Sequence, residues 1–148
     1  MKKLSEPAIV TEVEARVRTL TPQSVRRWGR MTPHQAICHL SDSYLVGLGE
    51  RPATAKAAPL AGLQRITALY LLPRWPHGVA TMPEADQERG GTKPVEFAAD
   101  QNALMELVRR FSSASKFGPH PIFGAMPVSD WMRWGYMHAD HHLRQFGC

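Results

Sequence analysis

Apolar residues recur along this chain at intervals of three and four, the spacing of one face of an α-helix. In AIVTEVEARVRTL, Ile9, Val13, Val17 and Leu20 keep that spacing. Glu12 and Glu14 stand four residues before Arg16 and Arg18, the favourable order for surface ion pairs, and Ser5 with Pro7 marks a start for this first helix. A second helix opens in MTPHQAICHLSDSYLVGLG, where Thr32 fits as N-cap, Pro33 as the first helical residue and Gln35 as the third. Ile37, Leu40, Tyr44 and Leu48 form its apolar stripe, and Gly47, Gly49 and Pro52 mark its end. A shorter third helix is expected over LAGLQRITALYLL, stopped by Pro73. A fourth covers PVEFAADQNALMELVRRFSS, with Phe97, Leu104, Leu107, Val108 and Phe111 inward. The fifth covers SDWMRWGYMHADHHLRQFG, with Ser129 able to cap it and Asp130 suited to the positive end of its dipole.

No run of alternating strand positions and no internal repeat interrupts this pattern. The segment from Pro73 to Pro94, PRWPHGVATMPEADQERGGTKP, is rich in Pro and Gly and too long for a simple connector. Loops of that length in compact domains carry function or stay disordered, so it is a candidate lid or dimer element. The expected architecture is all-α, a single domain over residues 1–148: a four-helix bundle with an additional short helix and a long Pro/Gly-rich loop.

Composition narrows the function classes. With 43% hydrophobic and 21% charged residues the chain should be globular. The net charge is +5, but the 18 Lys and Arg are scattered and no block of five like charges occurs, so a basic nucleic-acid arm is not supported. Cys38 and Cys148 are too few for a disulfide framework and read as reduced thiols. No signal-peptide core follows the N-terminal lysines, and ITALYLL is far too short to span a bilayer, so a cytoplasmic protein without a membrane partner is expected.

Three of the seven histidines, His138, His141 and His142, crowd into five residues of the last helix. His138 and His142 are four apart, on one face, where both rings can reach one cation. His141 could substitute for His142 but points more to one side. The best third ligand is His39, mid-helix, flanked on its own face by Ala36, Ser43 and Val46, whose small size leaves room for an ion. His34 points elsewhere, and His77 and His120 lie in loops beside prolines, placed less rigidly. A plainer reading stands beside this one: a histidine near a helix C-terminus is favoured by the dipole alone, and His39 can be an ordinary half-buried histidine. The zinc-protease motif is absent, since Ala139 stands where its Glu should follow the first His. Trp131, Trp134 and Gly135 fit either an apolar wall over an ion or plain core, with core preferred, and Tyr136 and Phe146 read as core. Asp42 and Asp140 are the nearby carboxylates, Asp140 the more solvated. Arg144 reads as a solvated helix end and Cys38 as a small buried hydrophobe.

The pieces MTPHQAICHLSDS, GGTKPVEFAAD and the tail HADHHLRQFG resemble the DinB-like, or damage-inducible, superfamily, and within it a bacterial branch without a settled activity. The similarity runs from about Trp28 onward. The resemblance implies a four-helix bundle of the up-down-down-up type. It also implies a divalent metal ion (zinc, nickel or iron) held by one histidine of the second helix and an H-x-x-x-H pair of the last: His39, His138 and His142. It further implies relatives that act as thiol S-transferases or metal-dependent hydrolases, a low-molecular-weight thiol or other small molecule as partner, and homodimers. Three histidine ligands leave positions free on the ion, and because they bind as neutral imidazoles, affinity should fall below about pH 6.5. No catalytic residue is assigned. A non-catalytic metal- or ligand-binding bundle is the alternative, and a nucleic-acid binder is the least supported class.

Overall fold

The computed structural model describes residues 1–54 and 59–148. Its helices are α1 (Pro7–Thr19), α2 (Pro33–Gly47), α3 (Ala61–Ile66), α4 (Phe97–Ser113) and α5 (Val128–Gln145). A π-helical turn, Thr67–Leu71, continues α3, and a 3-10 turn, Pro83–Ala85, lies inside the long loop. Among the described residues there is no strand, only an isolated bridge between His120 and Gly124. The all-α expectation therefore holds.

Side-chain caps open two of the five described α-helices. The hydroxyl of Thr32 accepts from the N–H of Gln35 at 3.1 Å, and the Gln35 side-chain oxygen accepts from the N–H of Thr32 at 2.9 Å, closing the expected capping box. α4 is capped by Glu96, which accepts from the N–H groups of Ala98 and Ala99. α1 begins after Glu6 with Pro7 in its first turn, at the start that Ser5 and Pro7 mark, and has no side-chain cap. The cap expected from Ser129 is not made. α5 begins after Pro127, which leaves Ser129 inside the first turn with its hydroxyl toward Asp130.

α4 and α5 each pack against both α1 and α2. Val13, Val17, Ile37, Leu40, Tyr44, Leu104, Val108, Phe111, Trp131 and Leu143 are buried between them. Phe97 and Leu48, expected inward, are only partly buried at the rim. Tyr136 is half-buried too, whereas Phe146 is core. Surface charges also follow tertiary neighbours. Glu12 pairs with Arg16 as expected, at 3.7 Å, but Glu14 turns to Arg109 of α4 at 2.6 Å instead of Arg18. Asp140, expected to be solvated, is bound by Arg16 at 2.9 Å.

The centre of the packing is Phe111, approached by α2 and α5 at two glycines. A Cβ on Gly47 would lie 2.8 Å from the Phe111 ring and 2.9 Å from that of Trp131, and one on Gly135 would lie 2.8 Å from Phe111 and Leu4. Neither ring can swing away from a filled core. Among the described residues, no helix is long and apolar enough to cross a membrane.

Gly47→Ala should therefore destabilise the fold. Overpacking costs about 1–3 kcal/mol, against a gain in helix propensity of up to about 1 kcal/mol, and the net loss should be about 1–2 kcal/mol. Urea unfolding measures it, and a variant as stable as the wild type would show that these rings have room to yield.

Candidate metal centre

α2 presents His39 and α5 presents His138 and His142, four apart on one face. The three rings meet in the interior, where each is at least nine-tenths buried. His39 Nε2 stands 3.1 Å from His138 Nε2, and one ring nitrogen from each of the three lies within 4.8 Å of the others. Two imidazole nitrogens on a tetrahedral ion with bonds of about 2.0–2.1 Å are separated by about 3.3 Å. The spacing already present suits a shared cation, and the cluster could hold a metal ion.

The other ring nitrogens show which way the protons point. His39 Nδ1 lies 2.8 Å from the carbonyl oxygen of Ala85, which can only accept, so Nδ1–H donates and Nε2 keeps its lone pair. The second chain of bonds begins at Trp28. The side-chain amide of Gln145 donates to the Trp28 carbonyl at 2.8 Å, which turns its oxygen to His142 Nδ1 at 3.1 Å. His142 Nδ1 therefore donates as well, and its Nε2 is free to ligate. His138 Nδ1 is buried without a partner among the described residues. Anchored Nδ1–H groups with Nε2 turned inward are what ligand histidines need from their surroundings.

Burial pushes His39 below the ordinary histidine pKa. It pushes His138 and His142 well below, with the neighbouring rings adding to the effect. All three are thus neutral at pH 7, ready to bind a cation, and protons compete only at a pH lower than the 6.5 of a free imidazole.

The nitrogens face a cavity of about 750 Å³. Trp131 and Trp134, read from the sequence as core, are both core and cavity wall, and the Trp134 ring centroid lies 4.8 Å from that of His138. Gly135 is not in the wall; it serves the helix approach. The long loop supplies one side through Trp75, Val79, Met82 and Ala85. It is held by Asp42, one turn beyond His39 on α2 and fully buried. This carboxylate accepts from Arg51 at 2.8 Å, Gln87 at 3.0 Å, and the N–H and hydroxyl of Thr92 at 2.8 and 2.6 Å.

The remaining histidines divide. His34 points away from the centre, as expected, and binds Asp100 at 2.7 Å, with the Cys38 sulfur 3.8 Å from the same carboxylate oxygen. Burial pushes the Cys38 thiol up to about 12, so it stays protonated. His141 lines the cavity beside His142. His77 is stacked on Trp28 at 3.9 Å, and His120 is buried with its Nδ1 accepting two backbone N–H bonds, so both are placed more firmly than their loops suggested. Arg144 sits over the Trp28 ring at 6.0 Å. Gln145 escaped the sequence reading, although its position three residues after His142 on the same helix face was the signal for it. The Ala85 carbonyl left no signal, being backbone.

Two outcomes follow. The pKa values of His39, His138 and His142, and that of His120, which burial lowers to about 4, lie below the unfolded value of about 6.5. Above that pH neither state binds protons; below it the unfolded state does first, so stability is lost as pH falls. For His120 alone this amounts to about 3 kcal/mol by pH 4. The thermal midpoint of the protein in chelator should drop steadily from pH 6.5 to 4.5, and a flat profile would contradict neutral burial. Second, Asp42→Asn turns a donor toward donors and should cost about 3 kcal/mol in urea unfolding, with faster proteolysis between Pro83 and Thr92. Unchanged stability would remove Asp42 as the loop's anchor.

No curated protein and no solved structure matches the chain. One family does, over residues 10–147, and the chain belongs to it: the family described as "Protein of unknown function (DUF1569)".

Proposed function

We propose that this protein is a divalent-metal-dependent enzyme, a hydrolase or thiol S-transferase, whose ion is held by His39, His138 and His142 at the floor of the cavity. The observation that carries this reading is the convergence of three buried, neutral imidazoles from two helices on a point that opens into a cavity of ligand size. A bound ion supplies Lewis acidity and lowers the pKa of a water or thiol beside it. The chain does the rest. Ala85 and Gln145 fix two of the ligand rings, while Trp75 and Trp134 keep bulk water from the ligand nitrogens. The packing of α4 and α5 against both α1 and α2 fits a four-helix bundle with α1 and α2 at opposite corners, in keeping with the DinB-like resemblance. Zinc, nickel and iron all suit an imidazole site open to substrate.

One observation favours a second reading, a non-catalytic ligand-binding protein that keeps its ion for stability. Among the described residues no Asp or Glu lines the cavity, so no carboxylate general base is at hand.

Elemental analysis of protein purified without nickel resin or chelator should find about one ion per chain, as a single three-ligand site holds. His39→Ala should lose it. Gln145→Ala should keep the fold and weaken metal affinity by about 10–100-fold. Metal retained in full by His39→Ala would remove the site. Turnover of thiol-acceptor or ester panels that depends on added metal, and is lost in His142→Ala, separates the enzyme from the binding protein. Retained metal without turnover, together with a thermal midpoint that rises with free metal, selects the second reading.

A further inference from the structure

In a chain with 18 Lys and Arg and 13 Asp and Glu, no charged side chain of these types lines the cavity among the described residues. Away from the floor, where the proposed ion would sit, a charged group held against this wall would lose its hydration and meet no counter-charge, a cost that hydrogen-bonded neutral groups avoid. One polar group in the wall is spent: Ser43 donates its hydroxyl to the carbonyl of His39 at 2.8 Å.

Trp131 in the wall also carries a buried indole N–H without a partner among the described residues, but at His120 the hydrogen-bond partners fix where the proton points. Its Nδ1 accepts from the N–H groups of Ile122 and Phe123, both at 3.1 Å, which leaves the ring hydrogen on Nε2. His120 lines the cavity and is only 6% exposed, and its ring hydrogen bonds among the described residues are all made at Nδ1. Burial lowers its pKa to about 4, so near neutrality the ring adds a donor and no charge. The rim adds an independent sign. Leu60, Leu63 and Val79 belong to the cavity wall but are 65%, 60% and 66% exposed, an arrangement that an apolar occupant would relieve.

We infer that the cavity takes an uncharged, largely apolar molecule carrying a carbonyl-type acceptor that receives the His120 Nε2–H. This deepens the proposed enzyme by naming its substrate class and rests on that reading only for the chemistry at the floor. A thiol co-substrate bearing carboxylates would have to leave them outside the cavity. His120 is in this sense a specificity-determining residue.

The test uses the full chain in chelator, so that its outcome is independent of the ion. Three probes of nearly equal size are titrated at pH 7.5: naphthalene, 2-acetylnaphthalene and 2-naphthoate. The neutral ketone should bind about 100-fold more tightly than the anion, despite the chain's net charge of +5, which favours anions in general. His120→Phe should weaken 2-acetylnaphthalene about tenfold and leave naphthalene within about twofold, a split that a merely structural role would not produce. Ala80→Lys, which places a cation in the exposed part of the wall, should raise 2-naphthoate affinity at least about tenfold and keeps the charge argument testable if His120→Phe does not fold. The inference is overturned if 2-naphthoate binds within about threefold of the ketone, if Ala80→Lys leaves that ratio unchanged, or if His120→Phe weakens naphthalene and the ketone alike.

Discussion

The contact between α2 and α5 decides whether there is a site at all. The hydroxyl of Tyr44 donates to the carbonyl of Gly135 at 2.9 Å, deep in the core. Gly135 permits it, since a Cβ there would collide with Phe111 and Leu4. His138 follows Gly135 by three residues, and His39 precedes Tyr44 by five. The same close approach that satisfies a buried phenol therefore brings two imidazoles to 3.1 Å. Were the helices pushed apart by the width of a methyl group, the imidazole nitrogens would no longer converge. A buried hydroxyl left unpaired costs about 1–3 kcal/mol, so the approach is held from both sides, by sterics and by hydrogen bonding.

α2 separates charge from neutral chemistry. His39, Ser43 and Val46 face the cavity, while Asp42 sends a buried carboxylate to the long loop. The loop answers at two places. Gln87 and Thr92 hold Asp42, and the Ala85 carbonyl, only a few residues away, orients His39. Loop placement and the orientation of the His39 ring are thus coupled through one helix. The loop is a fixed wall as well as a cover, since its anchor lies in the interior. The cost of burying a carboxylate is met by four hydrogen bonds, and the cavity on the other side needs no charge of its own.

Much of this architecture is legible in local pattern. The apolar periodicity marks all five helices, and the Thr32–Gln35 box forms as expected. His138 and His142 share a face because helix geometry leaves no other choice. His39 was legible only as a candidate, through the small residues around it on its own face. The failures share a cause. Ser129 lost its capping position because Pro127 starts the helix earlier, and Glu14 chose Arg109 over Arg18 because a neighbouring helix offered a closer partner.

The sequence alone determined the helices, their caps at Thr32 and the H-x-x-x-H pair, because each depends on residues within a turn or two of one another. Only the tertiary structure decided that His39 stands against His138, that Ala85 and Gln145 orient the rings of His39 and His142, that Asp42 ties down the loop and that no Lys, Arg, Asp or Glu among the described residues lines the cavity. Those contacts join positions up to 117 residues apart, as between Gln145 and Trp28. Many pass through backbone carbonyls, which have no signature in residue identity. They exist only once the hydrophobic packing of α2, α4 and α5 has set the distances between the elements.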